Sequence, residues 1–511
     1  MTHHPTTTFQ KNPIWLLIFV LMAAVIAFSL ISAWKGYPPY RDIHLGTAIE
    51  YSKSSISLKN TQIVGFNANE TPTIQEFPIW QTLVALTFNA FGPWWGWANV
   101  VSILIFTTSL FPLYQLGKAL MGPRGGAWTL VFFLCQPLVF RYYGLASTDG
   151  ASITAAIWFC YLGFELLCLE KFSVWWWLGA FVAGTMTALL KLPFFMAVGI
   201  GLFLFQLMSR PRALKPMVAL ASIGICVSTV FLGWTAYTGH LQANALFPFV
   251  DLRLSNPEMK FWYFGDWNYR LNPANWIKGG WRIMNTLFGS FVLVGLAAIG
   301  IWKNSPLRLP VCLLLGGGIT TLVFSHLVLH HSHYYLMFSP AVALLSANGL
   351  LWVADALRME RRGEWLFTGF AGALLSLSLV QGMIGMKITT AFDPYYRNIA
   401  RIVEEHTTSQ DKILIQGGGW GGDILIRAQR SGLSIWTTEV LEDDPNFRQL
   451  KNLGYNKLVM ISESPLLHSV QVINPGSAGR KRKTYHENRT PIVTNWKELY
   501  SDENIVIQEI P

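Results

Sequence analysis

The chain has 511 residues, of which 52% are hydrophobic and only 13% are charged. This balance excludes a water-soluble globular protein of this size and indicates an integral membrane protein. The net charge of +10 does not indicate nucleic-acid binding, because the basic residues lie mainly at the ends of apolar stretches, where they set membrane topology. All five cysteines lie in apolar runs, so no disulfide framework is expected.

Apolar stretches recur along the chain at the length that a membrane-spanning helix needs, which is about 20 residues. Eleven spans are predicted, at 13–34, 96–117, 126–145, 150–169, 174–190, 193–209, 216–238, 282–302, 309–329, 334–355 and 365–387. The apolar segment 77–92 is shorter, and Gly92 and Pro93 separate it from the next helix. We therefore expect segment 77–92 to be an interfacial or re-entrant helix.

The basic residues determine the orientation of this eleven-span arrangement. With a cytoplasmic N-terminus, the clusters at Lys118/Arg124 and Arg358/Arg361 fall on the cytoplasmic side, whereas a crossing by segment 77–92 would move them outside. Four sizeable elements then lie outside: the loop 35–76, the turn 141–149, the loop 239–281 and the tail from Ala391. We expect a bacterial inner membrane, with the tail in the periplasm or outside the cell.

The tail differs from the rest of the chain because its apolar runs are short and alternate with polar segments. Strands are predicted at Asp411–Gln416, Asn456–Ser462 and Asn504–Ile510, with helices at Asp423–Ser431 and Asn446–Leu453. The basic segment Asn474–Thr490 is predicted to be a polar loop. The pattern indicates a small extracytoplasmic α/β domain at 391–511, which follows a transmembrane domain at 1–390.

Two acidic residues at outer helix ends are candidates for chemistry. Asp42 follows the first span, and Asp149 lies in the turn between two later spans. A carboxylate there can accept a proton from an attacking hydroxyl as general base, or the two can hold a divalent cation such as Mg²⁺ or Mn²⁺ through oxygen ligands. Helix capping is the alternative for both, because Asp is common at helix starts.

Basic and histidine side chains lie at the same predicted face. Lys191 breaks the positive-inside pattern and would suit a lipid-carrier phosphate, although snorkelling to ordinary headgroups explains it equally well. His330, His331 and His333 lie at another outer helix end and are followed by two tyrosines. His330 and His333 have the spacing of two metal ligands, but no carboxylate or cysteine is near them in sequence, so contact with a phosphate or sugar is preferred.

The loop 239–281 is rich in aromatic residues, among them Trp262 and Tyr263. Aromatic faces stack on sugar rings, and they also anchor loops at the lipid headgroups. Both interpretations stay open, with anchoring the stronger one.

Short motifs follow one another in order at the predicted outer face. They are Asp42 after the first span, the proline-containing segment Gln75–Trp80, Thr148-Asp149, Lys191-Leu-Pro193 and His333-Tyr-Tyr335. The ordered set resembles the polytopic GT-C glycosyltransferases, specifically the protein O-mannosyltransferase and aminoarabinose-transferase-like group, over residues 10–390. This resemblance implies a GT-C-like α-helical membrane fold, here with about eleven spans and additional interfacial helices.

The resemblance also implies a function. The chain would transfer a sugar from a polyprenyl-phosphate donor to an acceptor hydroxyl on the non-cytoplasmic face, with inversion and with Asp42 as general base assisted by Asp149. The residues assigned to the donor phosphate are Lys191, Arg141, His331 and His333. The residues assigned to the sugar or acceptor are Glu76, Tyr334, Tyr335, Trp262 and Tyr263.

Two other classes of function are alternatives. A transporter or flippase of lipid-linked sugars is expected to place ionisable groups near the bilayer midplane, whereas here the clearest ones lie at outer helix ends. A non-catalytic assembly subunit would use the tail as a docking surface. The sequence does not choose between a lipid, protein or glycan acceptor, and it leaves the need for a divalent cation open.

Overall fold

A computed structural model of the chain describes residues 13–34, 42–53, 56, 58, 62–63, 65–66, 72–73, 76–92, 94, 96–143, 147–168, 172–209, 214–243, 259–303, 308–357, 369, 372–373, 376, 380, 393–416, 422–435, 445–461, 497–501 and 505–509. Its internal contacts define two compact units. The first unit comprises Met1–Lys35, Asn99–Gly233 and Tyr263–Met386, and the second comprises Gly36–Ala98, Trp234–Trp262 and Lys387–Pro511. Each unit is therefore assembled from three separate stretches of the chain.

Helices dominate the chain up to residue 356. In order they are α1 (Pro13–Trp34), α2 (Asp42–Lys53), α3 (Ile79–Phe91), α4 (Gly96–Thr108), α5 (Leu110–Leu134), α6 (Pro137–Tyr143), α7 (Thr148–Cys168), α8 (Val174–Ser209), α9 (Leu214–Ala243), α10 (Lys260–Phe264), α11 (Trp267–Leu271), α12 (Pro273–Ile283), α13 (Phe291–Trp302), α14 (Arg308–Val323), α15 (Ser325–His330) and α16 (Ser339–Ala356). A π-helical turn (Met284–Phe288) joins α12 to α13, and a 3-10 helix (Ser332–Phe338) leads into α16. Helical backbone satisfies its own hydrogen bonds, which lipid requires.

The described residues contain six helical stretches long and apolar enough to cross a membrane, or seven if the bent pair Pro273–Phe288 and Phe291–Trp302 forms one span. Two of the six, Gly96–Leu134 and Val174–Ser209, each include residues of two predicted spans. The predicted span 365–387 lies mostly outside the described residues. The protein is thus an integral membrane protein, while the count of eleven spans stays a prediction.

Segment 77–92 forms a helix that is short for a membrane crossing. Helix α3 has 13 residues, which corresponds to a length of about 20 Å, against a hydrocarbon thickness of about 30 Å. Pro78 precedes the helix, and Gly92 ends it with φ at 87°, a left-handed value that favours glycine. Its length therefore agrees with the expected interfacial or re-entrant helix.

Helix α8 breaks at the predicted boundary between two spans. Its 36 residues would form a straight rod of about 54 Å, far longer than one membrane crossing. At Lys191 the backbone leaves the helical region, with φ at −154° and ψ at 99°, and Pro193 follows two residues later. Because proline cannot donate a hydrogen bond to the preceding turn, the sequence favours a break at this position.

Close helix crossings in the first unit occur at glycines. A β-carbon at Gly316 in α14 would meet the Ala197 carbonyl of α8, and one at Gly349 in α16 would meet the Leu296 carbonyl of α13. Only glycine permits such an approach of two backbones. Packing through small residues is typical of helices in lipid, where apolar side chains gain little by leaving one apolar solvent for another.

The second unit contains a six-stranded sheet that joins the tail to the first loop (residues 35–76). The tail elements are α17 (Asp393–His406), β4 (Lys412–Gln416), α18 (Gly422–Ala428), β5 (Ser431–Ile435), α19 (Pro445–Asn452), β6 (Tyr455–Ile461), β7 (Glu498–Ser501) and β8 (Ile505–Glu509). The first loop contributes β1 (Gln62–Ile63), β2 (Gly65–Phe66) and β3 (Pro72–Thr73). The sheet order is β2-β5-β4-β6-β8-β7, with β4 parallel to β5 and β6 and the other pairs antiparallel, while β1 pairs separately with β3.

The predicted tail strands are confirmed as β4, β6 and β8, and the two predicted helices as α18 and α19. The predicted helix end at Ser431 is wrong, because α18 ends at Ala428 and Ser431 begins β5. Strands β5 and β7 were not predicted, since they contain few apolar residues and no apolar run of the kind that β4 and β8 have. The predicted loop Asn474–Thr490 lies outside the described residues.

The tail has an apolar core of its own between the sheet and two helices. Ile399 and Val403 of α17, Ile413 of β4 and Leu425 of α18 are all buried in it. Gly432 of β5 lies so close to β4 that a β-carbon there would meet the Ile413 carbonyl. This apolar core supplies the burial that a small α/β domain needs.

Asp411 fixes the turn that enters β4. Its Oδ2 accepts hydrogen bonds from the Thr408 backbone N–H at 2.6 Å and from the Thr408 hydroxyl at 3.0 Å, and its Oδ1 accepts one from the Asn456 amide at 2.7 Å. The Lys457 ammonium lies 3.7 Å from Oδ1. Burial raises the pKa of Asp411, but these hydrogen bonds and the Lys457 charge together hold it below its ordinary value.

Replacing Asp411 should weaken the second unit. Asp411→Asn is expected to cost about 1–3 kcal/mol at neutral pH, because the amide accepts fewer hydrogen bonds and no longer attracts Lys457. A depressed carboxyl pKa contributes stability above the ordinary pKa and loses it as the pH falls through the folded value, so the two proteins should converge in acid. Thermal unfolding of wild type and variant over this pH range measures the effect.

Glu405→Gln is the matched control for this variant. Glu405 pairs with Arg401 at 2.6 Å, but the two side chains are 50% and 59% exposed, so their pairing contributes little. An equal loss of stability in both variants would contradict a specific role for Asp411.

Candidate active site

Asp149 is buried at the start of a helix. It lies in the first turn of α7, and its side chain is 0% exposed. The free N–H groups of a helix N-terminus favour a carboxylate, as the capping interpretation expects. A fully buried carboxylate also needs a positive partner.

Lys191 is that partner. Its Nζ lies 3.2 Å from Asp149 Oδ1, and the lysine side chain is only 3% exposed. Lys191 is also the residue at which α8 breaks, so the break and the ion pair coincide. The sequence pattern indicates both residues, but with separate roles, and it does not predict that they pair.

Burying the Asp149–Lys191 pair costs free energy of folding. Taking each ion out of water costs several kcal/mol, and an apolar pair of similar volume is often equally stable or more stable. Ionisable residues inside a membrane protein are therefore rare and mark functional sites by default. The pair is the strongest structural indication of a site in the first unit.

An aromatic ring lies beside the lysine. Its Nζ lies 5.3 Å from the centre of the Tyr334 ring, a cation–π contact, and Phe194 lies edge-on to the same ring at 6.2 Å. Tyr334 in turn contacts the His333 ring at 4.4 Å. The ammonium therefore has an anion and an aromatic face as neighbours in a largely apolar setting.

His333 connects this group to α6. The histidine is 2% exposed, and its ring lies 6.3 Å from that of Tyr142. The Arg141 guanidinium lies 5.7 Å from the Tyr142 ring centre. We call this contiguous group the Lys191 cluster, comprising Arg141, Tyr142, Asp149, Lys191, His333 and Tyr334. Five of its six members were selected from sequence, and Tyr142, part of the same RYY motif as Arg141, was not.

The other histidines extend the Lys191 cluster along α15. The His331 ring lies 5.2 Å from His333 and 4.9 Å from His330. Arg282 of α12 donates hydrogen bonds at 2.8 and 3.0 Å to the last carbonyls of α15, including that of His330. Burial and then the positive groups around it, Arg282 among them, lower the pKa of His330 to about 4. His330 is therefore uncharged at neutral pH.

The remaining aromatic candidates have different surroundings. Trp262 and Tyr263 lie side by side in α10 and are half-buried. Tyr335 is fully buried and directs its hydroxyl toward the Leu329 carbonyl at 3.4 Å. Trp267 is 72% exposed, which suits either sugar stacking or membrane anchoring.

A second group of polar side chains lies in the second unit, at the helix that begins at Asp42. The Asp42 side chain is outside the described residues. His44, two positions later, is buried, with Nδ1 2.9 Å from the Gln81 amide nitrogen and Nε2 3.8 Å from Glu76 Oε2. If the amide donates to Nδ1, the ring proton lies on Nε2 and faces Glu76.

His44 thus links Glu76 to the helix that carries Asp42. Asp42 and Glu76 were predicted from the sequence, whereas His44 was not. His44 lies close to Leu45 and Ala48 in α2, and both of these residues are also buried. Its place in this helix pattern is the feature that could have identified it.

These groups do not decide whether a divalent cation is needed. Among the described residues, no group of three or more His, Cys, Asp or Glu side chains is placed to hold a metal ion. Asp149, one of the two suggested ligands, pairs with Lys191, and the side chain of the other, Asp42, is not described. A divalent cation stays a prediction.

Comparison with solved structures identifies the fold. ArnT from Cupriavidus metallidurans in the apo state superposes with a TM-score of 0.59 at 13% identity, covering 96% of this chain and 97% of that chain. The same protein bound to undecaprenyl phosphate gives a TM-score of 0.57 at 12% identity, covering 95% and 97%. Arabinofuranosyltransferase AftD from Mycobacteria gives 0.51 at 14% identity, covering 86% of this chain and 35% of that chain.

These similarities lie in the structure and not in the sequence. No protein-family model matches the sequence, and no curated protein matches it. The chain shares the fold of ArnT over nearly its whole length. The predicted resemblance to the GT-C glycosyltransferases is confirmed at the level of the fold.

Replacing one member of the Asp149–Lys191 pair should destabilise the first unit more than replacing both members. Asp149→Asn and Lys191→Gln are each expected to cost about 3–5 kcal/mol, because each leaves one buried charge without its partner. The double variant should recover most of this loss, since neither charge remains. Thermal unfolding of the three variants in detergent measures the coupling, and strictly additive losses would contradict it.

Proposed function

We propose that the chain is a glycosyltransferase that moves a sugar from a polyprenyl-phosphate donor to an acceptor hydroxyl. In this proposal the reaction takes place at the outer face of a bacterial inner membrane, with the N-terminus in the cytoplasm and residues 391–511 outside. The observation that carries the proposal is the buried Asp149–Lys191 pair in a chain with the GT-C fold. Neither composition nor fold stability accounts for that pair.

The donor class is supported by two independent features. ArnT, which shares the fold, has been captured with undecaprenyl phosphate. In this chain, a buried ammonium with an aromatic face beside it is suited to an anion presented from an apolar carrier. Arg141, His331 and His333 would add further contacts to the donor phosphate.

The transfer is proposed as a single displacement with inversion. The acceptor hydroxyl gives its proton to the Asp42 carboxylate as its oxygen bonds to the anomeric carbon. The bond between that carbon and the phosphate oxygen breaks at the same time, and its electron pair leaves with the polyprenyl phosphate. The products are the glycosylated acceptor and polyprenyl phosphate, with a proton left on Asp42 for release to solvent.

Lys191 would stabilise the departing phosphate. Negative charge grows on the phosphate oxygen as the sugar leaves, and an ammonium fixed in a poorly solvated site stabilises that charge more than water does. Asp149 has a supporting part, because its negative charge balances the buried ammonium of Lys191 before the donor arrives. Glu76, Tyr334, Tyr335, Trp262 and Tyr263 are proposed for contacts to the sugar or acceptor.

Asp42→Asn tests the general base. We expect transfer to fall by about 100-fold or more, because an amide cannot accept the proton. Purified protein is incubated with a cell-envelope extract and a panel of undecaprenyl-phosphate-linked radiolabelled sugars, and label leaving the polyprenyl lipid is counted. Movement of lipid-linked sugar across vesicles without transfer would support the flippase alternative instead.

Asp266→Asn is the matched control for capping. Asp266 caps α11 by accepting a hydrogen bond from the Tyr269 backbone N–H at 2.7 Å. Asparagine caps a helix about as well as aspartate, so this variant should keep its activity. If Asp42→Asn were equally active, Asp42 would be a cap and not a base.

The role of Lys191 is tested in a variant that lacks both charges of the pair. The double variant Asp149→Asn/Lys191→Gln leaves no unpaired charge, so folding and phosphate binding are separated. We expect it to bind undecaprenyl phosphate about tenfold or more weakly than wild type, measured by native mass spectrometry, because a charge-assisted contact is lost.

Lys303→Gln is the control for removing a lysine. Lys303 also lies over aromatic rings, 4.2 Å from the centre of Trp302 and 4.8 Å from that of Trp352, but it is outside the Lys191 cluster. It should bind the lipid phosphate as wild type does. Unchanged binding of undecaprenyl phosphate in the double variant would contradict the proposed phosphate role of Lys191.

A further inference from the structure

The first loop is built into the sheet of the tail. Strand β2, which has two residues, is the edge strand beside β5 and pairs Gly65 with Leu433 and Phe66 with Gly432. The order β2-β5-β4 therefore places a strand from near the start of the chain next to strands from its last quarter. The tail supplies five of the six strands, and the first loop supplies the edge strand β2.

Helix α2 is held against the same body. It packs against α18, and Ile49 contacts the apolar core formed by α17, β4, α18, β6 and β8. Leu45 and Ala48, on the same side of the helix, are 0% exposed. The helix is therefore anchored through side chains as well as through the nearby strand.

A second set of contacts joins α2 to Glu76. His44 of α2 lies against Gln81 and Glu76 at 2.9 and 3.8 Å, and the Trp80 ring lies edge-on to it at 6.4 Å. Contacts thus run without a gap from the tail core through Ile49 and α2 to His44 and Glu76. Each step lies within the second unit.

We infer that the tail domain is a positioning element for the first loop. It fixes α2, which begins at Asp42, and through His44 it fixes Glu76. The inference rests on the proposed function, in which these residues act on the acceptor and sugar. Reacting groups displaced by about 1 Å can lose about 100-fold in rate, so a domain that binds no substrate can still set the rate by holding this loop in place.

Ile49→Ala and Leu499→Ala test this inference as a matched pair. Both side chains are partly buried and pack against the same core, but Ile49 belongs to the first loop and Leu499 to β7 at the far edge of the sheet. We expect Ile49→Ala to lower kcat about tenfold with an unchanged KM for donor lipid, and to speed hydrogen exchange in residues 42–53. Leu499→Ala should do neither.

The two readouts separate this inference from the proposed function. Equal exchange in residues 42–53 in wild type and Ile49→Ala, or an equal fall in kcat in both variants, would overturn it. If Ile49→Ala does not fold, Ile49→Val provides the same comparison with a smaller cavity. Full transfer by Asp42→Asn would remove Asp42 from the proposed function, while exchange in residues 42–53 would still report whether the tail domain holds the loop.

Discussion

The ion pair between Asp149 and Lys191 is the constraint on which the Lys191 cluster of the first unit depends. Where it is buried, a lone ammonium or carboxylate costs several kcal/mol, so α7 and α8 must be placed to bring the two charges together. The break in α8 falls at Lys191 itself, and Tyr334 and His333 pack around the lysine. A site of this kind is stable only when its neighbours are in place, and five residues selected from the sequence lie together in it.

The second unit obeys a different constraint, which is the completion of a sheet. A short strand is stable only as part of a larger sheet, and β2 has just two residues. Pairing with β5 satisfies its backbone, and burial of α2 against the tail core adds apolar contact. The first loop, which carries Asp42, and the tail therefore form one structural body. This arrangement gives the tail a part in the proposed chemistry.

Much of the architecture was predictable because its signals are local. The apolar stretches predicted helices, and Pro193 and Gly92 predicted breaks or ends that the structure contains. The strands β4, β6 and β8 were found from their apolar pattern. Strands β2, β5 and β7 were missed because they lack the run of β-branched and other apolar residues that β4 and β8 have, and their stability comes from neighbours that are distant in sequence.

The sequence by itself determined the membrane class, the α/β character of the tail and a set of polar residues that a lipid-embedded chain would not keep without a reason. It did so because hydropathy, turn chemistry and charge cost depend on residues close together in the chain. Only the tertiary structure decided that Asp149 and Lys191 neutralise each other, that His44 joins Glu76 to α2, and that the first loop completes the sheet of the tail. Those are contacts between distant segments, and no local pattern specifies them because their energy exists only once the segments meet.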